Sequence, residues 1–112
     1  MTQILSEQHC TALPQGSPPL ALGDCTHLIQ QISSQWQLSD DLAHISRDIT
    51  FKNYYQTIAF VNAIAYIAHT EDHHPYLEVS YNRCRVFYNT HSVKGLSKND
   101  FICAAKIDQL LE

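Results

Sequence analysis

From Asn53 to Asp72 the chain contains neither glycine nor proline, and Tyr54, Ile58, Val61, Ala65 and Ala68 recur at helical spacing beside Phe60, Ile64 and Ile67. The pattern predicts one long helix whose apolar face is too wide for a solvated surface. His73, His74 and Pro75 follow directly. A proline pushes the residue before it out of the α region, so the helix is expected to stop there with both histidines at its C-terminal end.

Shorter elements flank this helix. Cys25, Leu28, Ile29 and Ile32 form an apolar stripe that predicts a first helix, with Asp24 as its N-cap. Trp36 and Leu38 alternate with polar residues up to Ser39-Asp40-Asp41, and Leu42 to Phe51 alternates through Ile45 and Ile49, which predicts a hairpin. A second hairpin is expected from Leu77, Val79 and Tyr81, a turn at Asn82-Arg83, and Cys84, Val86 and Tyr88. By the period-2 rule Arg85, Phe87, Asn89 and His91 then share the other face, with His91 ending the strand. Ser97-Lys98-Asn99-Asp100 resembles a capping box that opens a last helix through Ile102, Ile107, Leu110 and Leu111. The order is α-β-β-α-β-β-α. An α+β fold follows, a four-stranded antiparallel sheet with three helices packed on one face.

Residues 1–22 contain Pro14, Gly16, Pro18 and Pro19, which break helices and central strands, so they are expected to form a tail lying over the surface of a single domain at 23–112. A chain of 112 residues suits one core rather than two. The net charge of −4 and the lack of a basic run interleaved with aromatics argue against direct binding to nucleic acid. No apolar run approaches the roughly 20 residues that span a bilayer. Cys10, Cys25, Cys84 and Cys103 are scattered, with no C-x-x-C pair, and are expected as free thiols of a cytoplasmic protein.

The run His69-Thr70-Glu71-Asp72-His73-His74-Pro75, with His91 and Asp100 further on, suits either proton transfer or metal binding. Taken singly, each residue has a plain structural role: a polar helix end, a strand end, an N3 acid. Short connections between the last two strands and the last helix allow these pieces to converge on one rim of the sheet. On the metal reading, His69 and His73 would share a helix face, and His-Thr-Glu-Asp-His misses the inverted zinc-protease pattern because Asp72 stands where Glu is needed. Two ligands from one face of an ending helix make a weak site.

On these residues the chain resembles the pterin-4a-carbinolamine dehydratase family. That family's signature is an E/D/K/H residue, three others, His-His-Pro, then an aromatic, a His and an Asp at restricted spacings. The positions here are His69, His73, His74, Pro75, Tyr81, His91 and Asp100. The likeness extends to Trp36, to Phe51-Lys52-Asn53, to Gly95-Leu96, and to the segment from Asp100 to Asp108. It implies no metal, no cofactor, and dehydration of 4a-hydroxytetrahydropterin to quinonoid dihydropterin, which recycles the pterin of aromatic amino-acid hydroxylases. The family's catalytic histidines fall on His73, His74 and His91, with Asp72, Pro75, Asp100 and Trp36 expected around the substrate. His73 and His91 would form the acid–base pair, and His74 and Asp100 would orient the pterin and a partner imidazole. His69 stands where members often carry Glu. The resemblance also admits a non-enzymatic role as a protein-binding or dimerisation cofactor, and the wide apolar face over residues 54–68 predicts a homo-oligomer.

Overall fold

A computed structural model describes residues 4–112. The first helix, α1 (Leu22–Ile29), leads into β1 (Gln37–Leu38) and β2 (Ile45–Thr50). The long helix α2 (Tyr54–Glu71) follows, then β3 (Tyr76–Val79), β4 (Arg83–Tyr88) and α3 (Lys98–Leu110). All strand pairs are antiparallel, in the order β1-β2-β4-β3, so the chain crosses the helical layer through α2 before β4 inserts beside β2. Alternation sorts the two faces as expected. Ile45, Ile49, Cys84, Val86 and Tyr88 are buried under the helices with Phe60, Ile64, Phe101 and Ile107. Asp48, Arg83 and Arg85 stand on the open face, where Arg83 and Asp48 form an ion pair.

Asn53 caps α2 by accepting the Gln56 N–H at 2.9 Å, and the Gln56 side chain reaches back to the Lys52 N–H at 3.1 Å. Thr57, Phe60, Ile64 and Glu71 form its buried stripe. Ile58 and Val61 are half-buried at its flank, while Tyr55 and Tyr66 are exposed on its outer side. The helix ends earlier than Pro75 requires. Asp72 turns into the left-handed region (φ 53°, ψ 43°), and the His73 N–H bonds back to the Ala68 carbonyl at 3.1 Å, a Schellman closure that orients the following residues away from the helix. The start of α1 also differs from expectation. Its N-cap is Ala21, and Asp24 sits inside the first turn, where its charge still faces the positive end of the helix.

Residues 4–20 form a strap across the ends of α2 and α3. Leu5 is 3% exposed and joins the core, and Lys106 Nζ bonds the Ser6 carbonyl at 2.8 Å. The Glu71 carboxylate accepts the Cys10 N–H at 2.7 Å and a His9 ring N–H at 2.9 Å, while Asn99 accepts the Thr11 N–H at 3.1 Å and donates to its carbonyl at 2.8 Å. Burial alone would raise the Glu71 carboxyl, but these donors and Lys106 outweigh it and hold the group below its ordinary value. All four cysteines are free; Cys10 Sγ and Cys103 Sγ lie 3.5 Å apart where the strap crosses α3.

Candidate active site

Three local structures bring the singled-out residues together. The left-handed Asp72 delivers His73 and His74 into the connection before β3. After β4 the Thr90 N–H and Gly95 carbonyl pair at 2.8 Å and close a small loop that holds a single 3-10 turn, His91–Val93. His91 is therefore exposed on that turn rather than at the end of a strand, because the pairing of β4 stops at Tyr88. Between these segments lies a cavity of about 290 Å³, with Asp72, His73 and His74 contributed by one and Asn89, Thr90, His91 and Ser92 by the other; Gln15 of the strap completes the wall. A small flat heterocycle fits a space of this size. A larger hollow of about 500 Å³ lies beside Leu5, Arg47 and Asp108, but Asp108 there already accepts from Arg47, Trp36 and Ser33. Asp108 thereby joins α3 to Arg47 of β2 and to the segment ahead of β1.

His73 is the most constrained of the histidines. Its Nε2 lies 2.6 Å from Asp100 Oδ1, and Asp100 is fully buried. The other carboxylate oxygen accepts the Ser97 N–H at 2.9 Å and the Thr90 hydroxyl at 2.8 Å, and the Ser97 hydroxyl in turn lies 2.7 Å from Thr90 Oγ1. Asp100 thus performs the expected capping-box task at the start of α3 while receiving the imidazole N–H from the other side. With Nε2 as donor, the lone pair of a neutral His73 sits on Nδ1. The Tyr88 ring stacks on the imidazole at a centroid distance of 5.7 Å and 14° between planes. Burial beside the Cys103 thiol keeps the Tyr88 phenol protonated well above its ordinary range, so this residue supplies a rigid surface rather than a proton acceptor.

Three residues expected around the substrate stand elsewhere. Trp36 is 4% exposed, packs on the Tyr88 ring at 6.3 Å and donates its indole N–H to Asp108 at 2.7 Å; Tyr88 separates it from His73. A buried indole needs an acceptor, and Asp108 provides one away from the cavity. Asp100 has no open surface and reaches the cavity only through His73 and Thr90. Pro75 does not line the cavity and is half-buried just ahead of β3. The metal alternative loses its geometry as well, since the turn at Asp72 takes His73 off the helix that carries the exposed His69. Sequence reasoning missed Thr90 and Tyr88. The alternation of Cys84, Val86 and Tyr88 carries on to Thr90, so the inward direction of both was available as a signal.

Comparison with known proteins gives consistent results. Residues 18–110 match the family described as pterin 4 alpha carbinolamine dehydratase. A Nitrosomonas eutropha protein, provisionally named a pterin-4-alpha-carbinolamine dehydratase, is 53% identical over 99% of this chain and 98% of its own length. A Legionella pneumophila protein (strain Corby) with the same provisional name is 50% identical over 99% of this chain and 98% of its own. A Brucella melitensis crystal structure, titled a transcriptional coactivator/pterin dehydratase, superposes with a TM-score of 0.79 at 28% identity, covering 84% of this chain and 99% of that one.

Proposed function

Because the chain belongs to the pterin 4 alpha carbinolamine dehydratase family, we propose that it is a hydro-lyase converting a 4a-hydroxytetrahydropterin to quinonoid dihydropterin and water. The observation that carries this reading is a single cavity lined by His73 and His91 from separate segments, with His73 held by a buried carboxylate. Loss of the 4a-hydroxyl requires a proton on that oxygen and removal of the proton on N5. The N5 electron pair forms the C4a=N5 bond and expels water, so no protein nucleophile takes part.

The tautomer set by Asp100 gives His73 the basic role, with Nδ1 taking the N5 proton. His91 then protonates the departing hydroxyl, and His74 with Asp72 orients the ring. The product regenerates the pterin used by aromatic amino-acid hydroxylases. A purely protein-binding role gives no purpose to a cavity that gathers His73, His74 and His91 from separate segments. The test is the decay of enzymatically generated 4a-hydroxytetrahydropterin. Purified protein is expected to accelerate it strongly; a rate equal to that of the protein-free reaction would reject the assignment.

No helix among the described residues is long and apolar enough to cross a membrane, and free thiols fit the reducing cytoplasm. The outer side of α2, with Tyr55 82% and Tyr66 73% exposed, is the face we assign to a homo-oligomer. Light scattering at micromolar concentration is expected to give a mass of at least twice the 12.8 kDa chain. A monomer would leave that aromatic band as plain solvated surface.

A further inference from the structure

The strap carries one residue to the cavity, from outside residues 18–110 that the family model matches. Its anchors lie on both sides of that residue. Ahead of it are the Cys10 bond to Glu71 and the paired bonds between Thr11 and Asn99. Beyond it the Gly16 N–H bonds the Ser92 carbonyl at 2.9 Å, and the Leu20 N–H bonds the Leu96 carbonyl at 2.9 Å. Pro19 lies so close to Gly95 that a Cβ there would come within 2.9 Å of the proline ring.

Between these anchors the chain makes a tight turn. The Ser17 N–H bonds the Pro14 carbonyl at 3.0 Å, and Gly16 has φ +87°, the left-handed value that the third position of a type II turn requires. Gln15 occupies the second position. The Gly16 bond ties it to the loop that bears His91, and Gln15 lines the same cavity as His73, His74 and His91. No described residue hydrogen-bonds its carboxamide. An unpartnered donor and acceptor thus belong to a residue at the cavity wall whose backbone is held in place before any ligand arrives, which reduces the ordering cost of using them.

We propose that Gln15 is a substrate-positioning residue: its carboxamide hydrogen-bonds the polar edge of the bound pterin, whose ring N–H beside a carbonyl matches an amide. This rests on the dehydratase reading and adds a contact that the family-matching segment does not contain. Gln15 takes no part in the proton transfers, so its loss acts on binding.

In Gln15→Ala the KM is expected to rise about threefold to tenfold, the loss typical of one neutral hydrogen bond, with kcat within about twofold and an unchanged melting temperature. The Kd for 7,8-dihydropterin, which has no 4a-hydroxyl to lose, should weaken by the same factor in calorimetry. A folded Gln15→Ala protein with parental KM and Kd overturns the proposal, as does a loss confined to kcat or to thermal stability. If the parent binds 7,8-dihydropterin without accelerating dehydration, the activity reading fails while the ratio of the two Kd values still decides the role of Gln15. If the parent neither binds it nor accelerates the decay, both fall.

Discussion

His91→Ala is expected to lower the dehydration rate about 10²–10⁴-fold, the usual loss for a general acid or base, with little change in stability. Its side chain is exposed on the 3-10 turn and accepts or donates no hydrogen bond to a described residue. His73→Ala is expected to cost a similar factor in rate and some stability besides. Removing that imidazole takes the donor from Asp100 Oδ1 in a position with no exposure, and a stranded buried acceptor costs about 1–3 kcal/mol. Since the proposed mechanism gives the two residues different protons, the double variant should be slower than either single one, although residues acting as a unit need not be additive. Rates measured beside thermal melts separate the effects. Near-normal rates in folded His73→Ala and His91→Ala proteins would remove the acid–base pair from the mechanism.

Substitutions at Asp100 should divide tautomer control from helix capping. Asp100→Ala leaves the Ser97 N–H, the Thr90 hydroxyl and the His73 ring N–H without their acceptor, a loss of about 3 kcal/mol that corresponds to roughly 10–15 °C in a domain of this size. Asp100→Asn keeps the volume and one acceptor oxygen. If that oxygen serves Ser97 and Thr90, the amide NH₂ faces Nε2, which must then accept, and the imidazole proton moves to Nδ1 where the substrate proton should go. The expected result is a rate loss of about 10²-fold or more with a much smaller change in melting temperature. An Asp100→Asn protein with the parental rate would show that the orientation of His73, and not its tautomer, is all that Asp100 provides.

Local chemistry wrote much of this architecture into the sequence. The long helix α2, the second hairpin and the Ser97–Asp100 cap are decided within a few residues of one another, and all three form. The buried stripe of α2, however, runs through Thr57, Phe60 and Ile64 while Tyr54 and Ala65 are exposed, and the hairpin turns at Tyr81-Asn82 with Arg83 already in β4. What local pattern does not encode is where a side chain finds its partner. The position of Trp36 depends on Asp108, 72 residues away, and nothing near either residue announces the bond. His91 leaves the strand because Thr90 pairs with Gly95 and Lys94 takes a left-handed conformation (φ 54°), an arrangement that a lysine does not advertise. Proline and glycine in the first 22 residues mark a segment without regular structure. They do not reveal that Glu71 and Asn99, 61 and 88 residues further on, would hold it down.

The strap also sets an order of events during synthesis. Ser6, Cys10 and Thr11 are synthesised well before their partners Lys106, Cys103 and Asn99 on α3. Contacts of such long sequence separation form late, because the intervening loop must close before they repay its entropy. The same helix carries Asp100. A growing chain that has completed both hairpins and α2 therefore lacks the Asp100 anchor of His73 and holds its own beginning only through Glu71 and the loop after β4; the remaining contacts are acquired when α3 docks. If His73 acts as proposed, its carboxylate partner is therefore supplied only when α3 docks, although every residue that lines the cavity precedes that helix.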